Sequence, residues 1–161
     1  MKTGKRLWVA SLLASALISC TKKSTVPLES VPVRSLRQDP AVISFSWDQL
    51  GPVSNPLSKQ SATVESGTPL NILGWACSSD HTKLVAEVDL MMDDGLYKIP
   101  YGQPRPDVAQ AYGNPGLTNS GFAASFPAGD LGPGKHKIAL RIIGADGKSY
   151  LQSPGLTIVV R

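Results

Sequence analysis

From Ile43 to the C-terminus, hydrophobic residues recur in short runs at every second position, broken by clusters of turn residues. Period two is the spacing of a strand with one buried face, so each run reads as a strand. Ile43, Phe45 and Trp47 share a face in the first run, and later runs cover 62–65, 70–76, 84–92, 96–100, 121–126, 136–143 and 156–160. Between them lie Glu65-Ser66-Gly67, Asp93-Asp94-Gly95, Gly132-Pro133-Gly134, Ala145-Asp146-Gly147 and Ser153-Pro154-Gly155, residues that supply positive φ, fixed φ or local side-chain bonds to a turn. Asp94-Gly95 predicts a tight hairpin in which the glycine takes the positive φ, and Ala145-Asp146-Gly147 predicts the last hairpin in the same way. One short helix is expected at 107–112, opened by Pro106 and stopped by Gly113. The pattern predicts an all-β antiparallel sandwich of about seven to eight strands, with one helical turn in a crossover loop.

Upstream the pattern changes twice. Met1 to Arg6 is short and basic, and Leu7 to Ile18 is an apolar run of 12 residues, too short to span a bilayer but matching the core of an export signal. Leu17-Ile18-Ser19-Cys20 follows. This arrangement resembles the signal of bacterial lipoproteins, which implies that 1–19 are removed and that Cys20 carries lipid on its thiol and on the amine freed by cleavage. More than one acyl chain gives a stable anchor. Thr21 stands where an Asp resembles an inner-membrane retention signal, so the outer membrane is favoured in a Gram-negative host. Residues 20–42 hold Pro27, Pro32 and Pro40 among polar residues with no sustained period, and read as the lipidated Cys and a flexible linker.

Composition narrows the function. The 161 residues allow one domain, and 15 Gly with 13 Pro suit a turn-rich sandwich. The formal charge of +4 suggests a polyanion partner, yet residues 43–161 hold 9 basic and 10 acidic side chains, so the folded part is close to neutral and no nucleic-acid partner is expected. With Cys20 lipidated, Cys77 has no disulfide partner and reads as a small buried hydrophobe. His81 lies four residues beyond it, but no further Cys/His pair completes a metal set. Asp89, Asp93 and Asp94 lack the alternating oxygen ligands of a calcium loop. No nucleophile or metallohydrolase spacing occurs, so catalytic residues, cofactor and metal are all expected to be none.

Gly74-Trp75-Ala76, Tyr101-Gly102, Arg105-Pro106-Asp107-Val108, Tyr112-Gly113, Ser120-Gly121-Phe122 and Gly134-Lys135-His136 occur in that order. Together they resemble an immunoglobulin-like β-sandwich module of exported bacterial proteins, over roughly residues 43–160. The resemblance implies a fold and a spacer or binding accessory, with no catalytic residues assigned. Cys77-Ser78-Ser79 departs from the aliphatic residue and acidic loop usual there, so a metal in that loop is not expected.

The candidate site residues are few. Trp75, Phe122 and Phe126 are assigned to the core, and Trp47 is expected to be the partly exposed ring. Tyr97, Tyr101 and Tyr112 form a possible aromatic platform with it. Arg105, Pro106, Asp107 and Val108 are either a structural clamp, with Val108 as the apolar plug, or a binding loop for an acidic glycan or partner. The expected function is a non-catalytic, membrane-anchored envelope lipoprotein presenting one domain for contact with another protein; the alternative is a glycan-binding accessory module.

Overall fold

The structure, a computed structural model, describes residues 28–161. Residues 1–27, and with them the signal segment, Cys20 and the first part of the linker, lie outside the described residues. The described chain forms twelve strands: β1 (Arg37–Gln38), β2 (Ile43–Leu50), β3 (Val53–Ser54), β4 (Ser61–Val64), β5 (Pro69–Ser78), β6 (Glu87–Met92), β7 (Gly95–Ile99), β8 (Tyr101–Gln103), β9 (Gly121–Pro127), β10 (Gly134–Ile143), β11 (Ser149–Gln152) and β12 (Leu156–Val160). Two short helices, α1 (Pro56–Lys59) and α2 (Pro106–Ala111), lie in the connections.

The strands make an all-β sandwich of two sheets. In the five-stranded sheet the order is β3-β2-β5-β9-β8. In the seven-stranded sheet β10 is central, with β6 and then β7 on one side and β11 and β12 on the other; β1 extends β11 and β4 extends β12, both in parallel. Alternation explains the core. Leu70 and Ile72 from β5, Phe122 and Phe126 from β9, Val88 and Leu90 from β6, and Ile138, Leu140 and Ile142 from β10 all point between the sheets and are buried. The eight expected strands are present, and the four added ones are two to four residues long, too short to show a period.

Three expectations are corrected. The Asp94-Gly95 hairpin exists, but Met92 pairs with Gly95, so the two-residue loop is Asp93-Asp94 and the positive φ, 49°, falls on Asp93; Asp tolerates this region better than most side chains. A Cβ at Gly95 would strike the Tyr97 ring at 2.5 Å, so a larger residue there would have to displace that ring. Trp47 is not a partly exposed ring. Only 1% of it is accessible, because it points inward with Ile43, and its indole N–H donates to the Gln49 carbonyl at 3.0 Å.

Residues 28–42, expected to belong to a flexible linker, are instead held against the seven-stranded sheet. Val31 N–H donates to Leu96 O and Lys98 N–H to Glu29 O, both at 2.8 Å, along the outer edge of β7. β1 then pairs with β11 on the other side of the sheet. Between these two anchorages residues 32–36 cross the outer face of the seven-stranded sheet as a strap. Beneath this cover the outward residues of β10, Ala139, Arg141 and Ile143, are all buried. Arg141 pairs there with Asp89 through Nε at 2.9 Å and Nη2 at 2.7 Å, and Arg34 of the strap pairs with Glu87. A strand buried on both faces demands a covering layer, and Leu36 and Arg34 of this segment lie over Arg141, with which they line one pocket.

Gly74 gives a direct test of the packing. A Cβ there would collide with the Phe122 ring and the Ser46 carbonyl, so Gly74→Ala is expected to destabilise the fold by about 1–3 kcal/mol, the scale of overpacking a closed core. Gly67, which has open space around it, serves as the control: its Ala variant should stay within about 0.5 kcal/mol of wild type in urea unfolding.

Candidate functional site

Two β-bulges shape the outer face of the five-stranded sheet. Trp47 pairs with Gly74 and Gln49 with Leu73, so Asp48 is the extra residue of β2. Tyr101 pairs with Phe122 and Gln103 with Gly121, so Gly102, with φ 96°, is the extra residue of β8. A bulge re-aims the side chain it carries. Here it turns Asp48 toward Arg105, whose Nη1 donates to Asp48 Oδ2 at 2.7 Å.

Arg105 binds a second carboxylate as well. Its Nε donates to Asp107 Oδ1 at 2.9 Å and its Nη2 to Asp107 Oδ2 at 2.7 Å, a bidentate pairing that holds the Asp107 carboxyl down at about 2. Pro106 opens α2, and Val108 is buried against Cys77, Ala109 and Leu117. Gly121 makes this possible, since a Cβ there would meet Gln103 O at 2.7 Å and Arg105 Cγ at 2.9 Å. The Arg-Pro-Asp-Val segment therefore ties the crossover to β2 and plugs one end of the sheet.

Beside that tie lies an open groove. One part, about 350 Å³, is lined by Asp48, Gln49, Leu73, Gln103, Arg105 and Ala123 among others. It continues into a second part of about 530 Å³ along Gln49, Asn71, Leu73, Ala123 and Ser125. Leu73 stands exposed at the join, and Gly121, Ala123 and Ser125 keep the β9 side low. Gln49 uses its Nε2 on Gly51 O, and Asn71 accepts from Ser125 Oγ. These bonds leave the Gln49 carbonyl oxygen and the Asn71 amide donors for a ligand. Apart from the paired Asp48 and Arg105, the lining carries no charge.

The expected aromatic platform is not assembled. Trp47 is in the core. Tyr101 packs against the core, where its hydroxyl donates to Ala76 O at 2.8 Å and accepts from Val85 N–H at 3.3 Å, and burial pushes its pKa up to about 12. Tyr97 belongs to the other sheet and packs toward the core over Gly95. Tyr112 sits apart, stacked on His81 with ring centroids 3.8 Å apart and edge-on to Trp75 at 5.7 Å. Trp75 is half-buried rather than a core anchor, because it points to the outer face, where α2 partly covers it.

The remaining reactive groups are held. Burial raises the Cys77 thiol to about 11, so it stays protonated at neutral pH. His136 Nδ1 lies 2.8 Å from Asp93 Oδ2 and its Nε2 lies 3.1 Å from Gly132 O. Both partners only accept, so the imidazolium with two N–H groups fits this setting, and the Asp93 bond raises the His136 pKa. Sequence reasoning missed Asp48, Gln49, Asn71, Leu73 and Gln103. The available signal was the outward set Asn71, Leu73, Trp75 of β5, which is too apolar for a strand face left wholly to water.

Arg105→Ala is expected to lower stability by about 1–2 kcal/mol, between an exposed ion pair and a buried one, and to shift the thermal midpoint by several degrees; an unchanged midpoint would remove the clamp. His136 has a raised folded-state pKa, so its contribution is complete below the ordinary imidazole value of about 6.5 and fades as pH rises through the folded value. Urea midpoints of wild type and Asp93→Asn should differ at pH 6 and converge at high pH.

No protein-family model matches the chain, and no curated protein sequence does. Among solved structures, the chain is similar to the endo-beta-1,4-mannanase from Thermotoga petrophila, with a TM-score of 0.44 and 12% identity, over 77% of this chain and 21% of that one. The chain thus spans about a fifth of that enzyme's length.

Proposed function

We propose that the protein is a non-catalytic, lipid-anchored envelope protein that presents its β-sandwich for contact with another protein. The observation that carries this reading is the neutral, amide-lined groove centred on Leu73, on the face opposite the strap. Its free donors and acceptors suit an extended polypeptide, whose peptide groups offer both. Addition of a partner strand at a sheet edge is less well supported, since β1, β3, β4 and β8 are only two to four residues long and the outer edge of β7 is taken by residues 29–31. The second reading, a glycan-binding module, draws on the same aliphatic Leu73 and amides, but lacks the rings that sugar stacking uses. A non-catalytic role is supported by the protonated Cys77 and the engaged His136.

Lipid on Cys20 sets the working distance. Eight residue steps separate Cys20 from Leu28, and at full extension, about 3.6 Å each, they reach no further than about 29 Å. The lipid would therefore hold Leu28 within that distance of the membrane, and the partner expected for the groove is an envelope component.

The test is capture from envelope extracts with the full chain, beside a glycan array. Wild type should retain a protein that Leu73→Asp and Ala123→Glu lose while melting like wild type. Binding of a polysaccharide that the same variants abolish would establish the second reading, and binding indifferent to both variants would remove the groove. Mass spectrometry should find an acylated N-terminal Cys20, with Cys20→Ser leaving the membrane fraction; an unmodified Cys20 would contradict the anchor.

A further inference from the structure

The strap is held unequally at its two ends. At the β11 end, β1 runs in register with β11, Arg37 and Asp39 donate their amides to Lys148 O and Tyr150 O at 3.0 and 2.8 Å, and the chain continues into β2. At the β7 end the pairing is one bridge, Ser30 with Tyr97, flanked by the bonds of the Val31 and Lys98 amides. Leu28 packs partly on the core there. The Arg34–Glu87 pair adds little, because the arginine side chain is 42% exposed.

Residues 32–36, between the two ends, make no backbone hydrogen bond among the described residues. Pro32 has no N–H to give, and Val33 is 89% exposed. A pocket of about 320 Å³ stays unfilled beneath this stretch. On the sheet below, Asp89 lies between its cross-strand partners Lys98 of β7 and Arg141 of β10, fully buried, and its Oδ1 has no donor. A carboxylate oxygen shut away without a donor is costly, and that cost disappears when water reaches it. A segment with few bonds, an unpaired hinge and such a group beneath it opens locally, at far less than the free energy of global unfolding.

Opening uncovers a sheet edge. β7 has five residues, against two to four in β1, β3, β4 and β8. With residues 29–31 gone, Leu96 O and Lys98 N–H face outward unpaired and form a template for an added strand. The contact made by the chain itself shows what such a strand needs. Leu28 places an aliphatic side chain on the core, and Glu29 then stands opposite Lys98 in the register set by the Ser30–Tyr97 bridge.

We propose that residues 28–34 are a latch that swings off the sheet while β1 stays paired to β11, and so opens the β7 edge to an antiparallel strand of another protein. The incoming strand carries an aliphatic residue followed by an acidic one. This contact is separate from the groove and does not depend on what the groove binds.

Hydrogen exchange and strand binding, both on the full chain in detergent micelles, test the latch. The Val31 and Lys98 amides should exchange at least about tenfold faster than those of Arg37 and Asp39, since the latch frees only the first two. A labelled peptide, Leu-Glu-Ser-Val-Pro-Val, copied from residues 28–33, should bind Val31→Pro, which lacks the latch N–H, at least about tenfold more tightly than wild type. A Lys in place of the peptide's Glu should weaken that binding. Ser30 and Tyr97 are a non-hydrogen-bonded pair, where antiparallel strands come closest, so Ser30→Cys with Tyr97→Cys can shut the latch with a disulfide. Oxidised, this variant should lose the peptide, and reduction should restore it. Equal exchange of all these amides, one affinity for wild type, Val31→Pro and the oxidised variant, indifference to the Lys, or no saturable binding to Val31→Pro up to about 1 mM would each overturn the proposal.

Discussion

Asp89 and Arg141 form an ion pair on the outer face of a sheet, where a pair usually meets water, and here it is almost fully enclosed. Removing two charges from water is costly unless their geometry is good and their surroundings are polar. One oxygen of Asp89 takes both arginine bonds, while burial raises the pKa of Asp89 and the neighbouring Glu87 carboxyl adds to that rise. The enclosure needs a second layer, and in this chain that layer is the strap. Its two ends are fixed by β7 and β11, so the same segment that shields the pair caps one exposed edge and lengthens the other side of the sheet.

The division of labour between the two faces follows from this. The outer face of the seven-stranded sheet is spent on the strap, whereas the five-stranded sheet is covered only at its Trp75 and Cys77 end, by α2. Arg105 fixes that cover through Asp48 and Asp107. The uncovered remainder, from Gln103 across Leu73 to Asn71 and Ser125, is the groove. Its floor is low because β9 contributes Gly121, Ala123 and Ser125, and its end wall exists because β2 bulges at Asp48.

The architecture was legible wherever a strand ran long enough to show period two. Eight strands, the helix after Pro106 and the burial of Phe122 and Phe126 are all visible in the alternation. Trp47 shares the inner face with Ile43 and Phe45, four and two residues earlier, as period two requires; the polar residues around it point the other way. The strap was hidden for a different reason. Residues 28–42 carry no period of their own, because they cross a sheet face without burying a face of their own, and Pro32 and Pro40 mimic a linker. The groove was illegible because its parts come from β2, β5, β8 and β9, brought together by two bulges whose extra residues leave no mark in composition.

The account stands on the strap as a structural layer of the domain. Urea unfolding of two fragments, 28–161 and 43–161, tests this most directly. If the strap shields the Asp89–Arg141 pair, the shorter fragment unfolds at clearly lower urea, with a loss well above the roughly 0.5 kcal/mol of an ordinary surface change. Coincident unfolding curves for the two fragments would contradict it.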